Sequence, residues 1–288
     1  MADPRELQRK LRSSEALRDI VTAMRNLAAI YVRRAEAAVG ASRPYSDVVE
    51  TALGVLLRRA GLGSPPAEPE GRCLALVFAS DQGLCGTYND RVVRAALEFR
   101  EGASGQMEFV AVGLRGAALL RIRGAEPVMS IRSPTSLEGI KAQVTEIAAD
   151  IFETYLEHGA ARMAFVYNAY EGMGRSSAQV RTVLPPSMEG LGEGKRKEFR
   201  AEPILTAPPR ELLPAMFEEY FFIQLYRALL ESHASENGAR LISMTAAATN
   251  IDKRLLHLTQ QFQTARQDMI TAELLDVVGG AEALRSED

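Results

Sequence analysis

The sequence predicts a mixed α/β fold, in which a long antiparallel coiled coil of the N- and C-terminal helices carries an inserted α/β domain. Three observations predict it. Near the C-terminus, Leu241, Met244, Ala248, Ile251, Leu255, Leu258, Phe262, Ala265, Met269 and Ala272 alternate at spacings of 3 and 4. That is the heptad seam of a helix that winds around a partner. At the other end, Leu7, Leu11, Ser14, Leu17, Val21, Met24, Ala28, Tyr31, Ala35 and Ala38 form a similar stripe. Between the two, short apolar runs alternate with amphipathic segments, as in a layered domain of strands and helices.

Charge supports the pairing of the ends. Residues 1–60 hold 11 Lys or Arg against 7 Asp or Glu, whereas residues 211–288 hold 6 against 12. Exposed ion pairs add only about 0–1 kcal/mol each. Seam burial is therefore the expected driving force, and the opposite charges favour this pairing over self-association of like ends.

The first helix is expected over residues 4–60, opening at Pro4, where a first-turn proline is tolerated. Gly40 and Pro44 within ASRPY mark a kink or a change in packing, with Ser46 or Asp47 able to cap the helix again. GLGSPPAEPEG, residues 61–71, reads as a linker.

An α/β domain is expected over residues 70–206. RCLALVFA is a continuous apolar run and so a buried strand. Further strands are expected at MEFVAVG, near EPVMSI, at RMAFVYNAY and at SSAQVRTVLPP, with helices at NDRVVRAALEFR, LRGAALLRIRG and residues 136–159. Ser136 is the expected N-cap of that last helix and Gly159 its stop. The order β-α-β-α-β-α-β-β implies a mainly parallel, Rossmann-like sheet with helices on both faces. GEGKRKEFR reads as a charged surface loop. The second long helix is expected within residues 210–288, ending at Gly279. At 1.5 Å per residue it would run for about 100 Å, too long to be buried in a domain of this size.

Composition narrows the function. The 288 residues are 47% apolar and 25% charged with a net charge of −3, which argues against a general nucleic-acid binder. No apolar stretch reaches the roughly 18 residues a membrane span needs. The charged start is not that of a secretory signal, so an intracellular protein is expected. Cys73 and Cys85 match no zinc or redox spacing and are expected to be structural thiols. His158, His233 and His257 are scattered, so no metal site is expected. Glu218, Glu219 and Glu236 read as a solvated helix face.

The most motif-like stretch is SDQGLCGTYND, directly after the first strand. A glycine-rich turn ahead of a helix can bind phosphate, but the spacing is neither GxGxxG nor GxxxxGK[ST]. Gly83 and Gly86 are better read as permitting a tight turn. Cys85 between them lacks a base and reads as packed. No cofactor is expected. At the far end, Arg266, Gln267 and Thr271 precede an apolar tail of Leu274, Leu275, Val277 and Val278. Antiparallel pairing would bring the N-terminus alongside residues 262–268. The helix beyond would then need another protein around it.

Three blocks of sequence resemble the gamma subunit of F-type ATP synthases: IVTAMRNLAA with ASRPY, LVFASDQGLCGTYN, and ENGARLISMTAAATNIDKRLLHLTQQFQTARQDMITAELLDVVGGAEAL. The resemblance spans essentially the whole chain. It implies a rotor shaft of coiled-coil termini inside a head of alternating alpha and beta subunits. The α/β domain would be the foot, meeting the epsilon subunit and the c-ring at the cytoplasmic face of a bacterial inner membrane, without inserting. The chain itself would be non-catalytic. Arg266 and Gln267 match a pair that engages a beta-subunit loop, and Thr271 lies in the same motif. Met24 matches a methionine facing an acidic region of beta, and Arg25 could pair with that acid. The apolar tail would turn in a sleeve at the top of the head.

Departures from the family pattern mark a divergent member, of the kind an alternative operon would encode. Thr22 stands before Ala23-Met24, and Thr264 before the ARQ motif, where the family commonly has lysine. The residues alone leave two other readings open: a nucleotide-using α/β enzyme with helical extensions, resting on SDQGLCG, and an unrelated coiled-coil scaffold.

Overall fold

The computed structural model describes residues 3–62, 71–103, 105–172, 174–186, 191 and 204–285. The side chains of 276 and 279–285 are not described. Most of the expected linker at 61–71, and all of GEGKRKEFR, lie outside the described residues. The elements are α1 (Pro4–Arg59), β1 (Cys73–Phe78), α2 (Tyr88–Gly102), β2 (Met107–Val112) and α3 (Leu114–Ile122). There follow β3 (Met129–Ile131), α4 (Leu137–Glu157), β4 (Arg162–Gly172), β5 (Arg175–Leu184) and α5 (Pro209–Arg285).

The sheet runs β3-β2-β1-β4-β5. Three of its four pairings are parallel, and β5 returns antiparallel to β4. Cys73 stands between Met107 and Arg162. The strand period of 2 divides the core between the two faces. Leu74, Leu76 and Phe78 point toward Ile140 and Val144 of α4, Leu53 of α1 and Leu225 of α5. Ala75 and Val77 face Val92, Val93 and Ala96 of α2 and Ala117 and Leu120 of α3. Small residues let α3 come close: a Cβ on Gly116 would stand 2.4 Å from that of Ala79.

Local signals account for the element ends. Ser136 caps α4, its Oγ accepting from the Gly139 amide at 3.0 Å. Gly159, just past the helix, takes φ +56°, which a side chain would oppose. Burying Asn168, Ser80 and Arg162 inside this layer demands partners, and Asn168 Nδ2 donates to the Tyr88 carbonyl at 3.2 Å.

Three expectations are corrected. Helix α1 is not capped again after Pro44; it runs unbroken through that proline. Proline lacks the N–H that would reach the Gly40 carbonyl, yet the Ser46 hydroxyl bonds the Glu50 carboxylate at 3.1 Å instead of capping the backbone. Packing on both sides of the proline holds the helix. Likewise α5 does not end at Gly279 but continues to Arg285. Two glycines cost about 2 kcal/mol against alanine, but they do not forbid helix. Finally, the N-terminal seam slips at Leu17, which is 53% exposed.

The chain falls into two compact units, Met1–Leu27 with Ile242–Asp288, and Ala28–Leu241. The first holds both chain ends and, among the described residues, is helical from Pro4 on. Within it Leu7, Ser14, Met244, Ala248, Leu255 and Leu258 are buried. The second holds the sheet, α2 to α4, and the adjoining stretches of α1 and α5. No described helix is long and apolar enough to cross a membrane.

Candidate functional site

Burial along α5 follows the heptad and then stops. Met244, Ala248, Leu255 and Leu258 are buried, and Leu241, Ile251, Phe262 and Ala265 are partly so. From Arg266 every described side chain is exposed. A side chain every 3 or 4 residues is covered until Ala265, and then the cover is gone. Arg266, Gln267 and Thr271 therefore present their groups to solvent within two turns of one helix. Thr271 Oγ1 donates back to the Gln267 carbonyl at 2.9 Å, which restrains its rotamer. Leu274, Leu275, Val277 and Val278 are 57% to 71% exposed. Four large apolar side chains on two successive turns make an adhesive surface. Met24 and Arg25 lie half-buried on α1, in the same compact unit.

The glycine-rich turn belongs to the other unit. Gly86 takes φ +56° and Leu84 φ +64°, so the turn does need left-handed backbone, with Leu84 as its strained member. Gly83 is not left-handed, and a Cβ there would make only ordinary contact with the Arg115 guanidinium, 3.6 Å away, so the turn does not require glycine at this position. Cys85 is buried, its thiol 3.6 Å from the Ser80 hydroxyl. Burial pushes that thiol up, and pushes Cys73 up to about 11. Both cysteines are inert packing residues under these conditions. The Ser80 amide donates to Asn89 Oδ1 at 2.9 Å, closing the turn on the first turn of α2.

Parallel sheets bind ligands in the crevice outside the carboxyl ends of neighbouring strands where the order reverses, here between β1 and β4. That crevice holds α5. The Tyr88 hydroxyl donates to the Ser232 carbonyl at 3.2 Å, and the Ser235 hydroxyl donates to the Asn168 carbonyl at 2.8 Å. Residues 231–238 are buried on every side. Arg240 donates to the Gly83 carbonyl at 3.4 Å, to Asn237 Oδ1 at 3.1 Å and to Glu236 at 2.6 Å. The turn that could have cradled a phosphate thus bonds the long helix through its carbonyl, which repels anions. This leaves the nucleotide-enzyme reading of SDQGLCG without its site.

Glu236 is a further correction. It is 9% exposed, not part of a solvated face, and burial pushes its carboxyl up against the opposing pull of Arg240. His233 is likewise buried, with its ring 6.0 Å from that of Tyr31, and burial pushes it down to about 4. His158 instead bonds Glu108 at 2.7 Å, a carboxylate that also meets Arg72 at 3.3 Å. The signal that could have revealed the buried stretch is its string of small residues, Ser232, Ala234, Ser235 and Gly238, on a helix otherwise rich in large ones.

Comparison with known proteins follows the same lines. A family model described as ATP synthase matches residues 3–284. The ATP synthase gamma chain of Anaeromyxobacter sp. (strain Fw109-5) is 31% identical, over 99% of this chain and 100% of that one. That of Moorella thermoacetica is also 31% identical, with the same coverage. Among solved structures, a chain of the Euglena gracilis mitochondrial ATP synthase (OSCP/F1/c-ring, rotational state 3) aligns with a TM-score of 0.68 at 16% identity. The match covers 98% of this chain and 95% of that one. The central stalk/c-ring structure of the Tetrahymena thermophila enzyme aligns at 0.61 and 21% identity, over 79% and 99%. At such identities the structural matches speak for the fold, while the end-to-end sequence matches speak for kinship. The chain belongs to the ATP synthase gamma-chain family.

Proposed function

We propose that this chain is the central-stalk rotor of an ion-translocating F-type ATP synthase. It couples rotation of the membrane c-ring to ATP synthesis or hydrolysis at the catalytic sites of the beta subunits. The observation that carries this reading is the end of burial at Ala265: beyond it, a helix bearing Arg266, Gln267, Thr271 and four apolar side chains has no cover among the described residues. An asymmetric helix turning inside a ring of subunits presents a different face to each, and so biases which conformation each site adopts.

In this reading residues 1–60 and 210–288 form an antiparallel coiled-coil shaft, and 70–206 a Rossmann-like foot. The covered heptad positions and the opposite net charges of the two ends support the pairing. Met24, Arg25, Arg266, Gln267 and Thr271 contact beta subunits. Leu274, Leu275, Val277 and Val278 turn within an apolar bearing of the alpha and beta head. Gly83, Leu84, Cys85 and Gly86 hold α5 against the foot, which meets epsilon and the c-ring. The subunit is non-catalytic and peripheral, at the cytoplasmic face of a bacterial inner membrane.

Co-expression with the alpha and beta subunits of the same organism tests the reading. A stable complex that hydrolyses ATP is expected, with the rate lowered by removal of residues 269–288. Failure of the full-length chain to co-purify with alpha and beta would sink it.

A further inference from the structure

We infer that Glu50 is the positioning residue that locks both long helices to the sheet, so that rotation passes between them without slip. The inference rests on the rotor reading above.

One carboxylate oxygen gathers donors from two other elements and from its own helix. Glu50 Oε1, on α1, accepts from Arg181 of β5 at 3.0 Å and from Gln224 Nε2 of α5 at 2.8 Å. It accepts from Ser46 Oγ one turn earlier at 3.1 Å. Arg227 of α5 stands 3.7 Å away; its Nη1 donates to Ser46 Oγ at 2.9 Å and its Nη2 meets Glu231 at 3.4 Å. The Glu50 side chain is 14% exposed. Two carboxylates and two guanidiniums balance, so the cluster carries no net charge into the interior.

The chemistry suits a lock better than it suits stability. Replacing such a partly buried cluster by apolar side chains of similar volume is often neutral or stabilising, so its retention calls for another reason. Apolar ridges and grooves can slide by a residue with little loss of contact. Hydrogen bonds to a charged group are short and directional, and a small displacement breaks them. Glu50 also lies under two turns beyond Pro44, where α1 lacks one backbone hydrogen bond and bends most easily. The bonds from Arg181 and Gln224 hold the helix just past that weak point.

The test uses the assembled synthase in membrane vesicles, reading ATP hydrolysis and the ATP-driven membrane potential together. Glu50→Gln keeps the shape and removes the charge. The expected result is retained ATPase with a lower potential per ATP hydrolysed, and a double variant with Arg181→Gln no worse than either single one. Thr51→Ala, which removes only a bond within α1, should leave the ratio unchanged. If Glu50→Gln assembles and couples as the parent does, the inference is overturned while the rotor reading stands. Should Glu50→Gln fail to assemble, Arg181→Lys decides, since it keeps the cation and loses the planar fork. A lowered ratio then supports the lock, and an unchanged ratio overturns it.

Discussion

Gly238 of α5 lies against Gly174 of the β4–β5 turn so closely that a Cβ at position 238 would stand 2.9 Å from the Gly174 Cα. Inside a helix, alanine normally outranks glycine by about 1 kcal/mol. Here the contact is backbone, which cannot swing aside. Gly238→Ala should therefore destabilise the chain by about 2 kcal/mol, read as a lower urea midpoint. An unchanged or raised midpoint would show that the turn yields instead.

Arg240 compensates a buried carboxylate. Arg240→Ala takes from Glu236 the guanidinium that stands 2.6 Å away and should cost about 3 kcal/mol near neutral pH. Glu236→Gln in the same chain should recover part of that loss, because the neutral amide needs no counter-charge. Equal urea midpoints for the single and double variants would contradict the pairing.

His233 sets an acid limit. Its folded value of about 4 lies below the ordinary 6.5, first because of burial and then because of Arg240, with Glu138 opposing. Between those two values the unfolded chain takes a proton that the native one refuses. Stability should therefore be intact above about pH 7 and fall as the pH drops from about 6.5 toward 4, by up to about 3 kcal/mol. His233→Gln should flatten that slope. Glu236, whose carboxyl is pushed up, works the other way: its native form is favoured once protonated, which softens the loss at the acid end.

The two stretches of α5 on either side of Ala265 should respond differently to truncation. Leu258→Ala, at a buried position, should cost about 2–3 kcal/mol in the purified chain. Arg266→Ala, at an exposed one, should leave the melting temperature within the noise of a surface change and lower the ATPase of the complex with alpha and beta. Equal effects of both on folding would refute the boundary.

The thiols should resist modification. Cys73 and Cys85 are buried with their ionisation pushed up, so Ellman's reagent at pH 8 should label both only after denaturation. Labelling of the native chain within minutes would show the core open.

Much of this architecture was legible in the sequence because it is written in local periodicity. Alternation of 3 and 4 marked the two long helices, continuous apolar runs marked the strands, and Ser136 and Gly159 marked the limits of α4. The order of elements implied a mainly parallel sheet, and the position of the ARQ motif fell where burial on α5 ends. The differences lie where a local rule meets the rest of the chain. Pro44 and Gly279 are helix breakers that a long helix runs through, and the regular spacing at Leu17 does not by itself bury a side chain. Glu236 was judged by its sequence company, although residues 231–238 lie in the crevice between β1 and β4.

By itself, then, the sequence determined the elements, their order and the family, since each depends on residues near one another in the chain or on similarity along its whole length. Only the tertiary structure decided what the glycine-rich turn faces and which charges are buried. Gly83 and Arg240 are 157 positions apart, as Glu50 and Arg181 are 131 apart. No periodicity spans such distances. A charged side chain looks the same in sequence whether it meets water or a partner, and burial, which depends on every element at once, makes the difference.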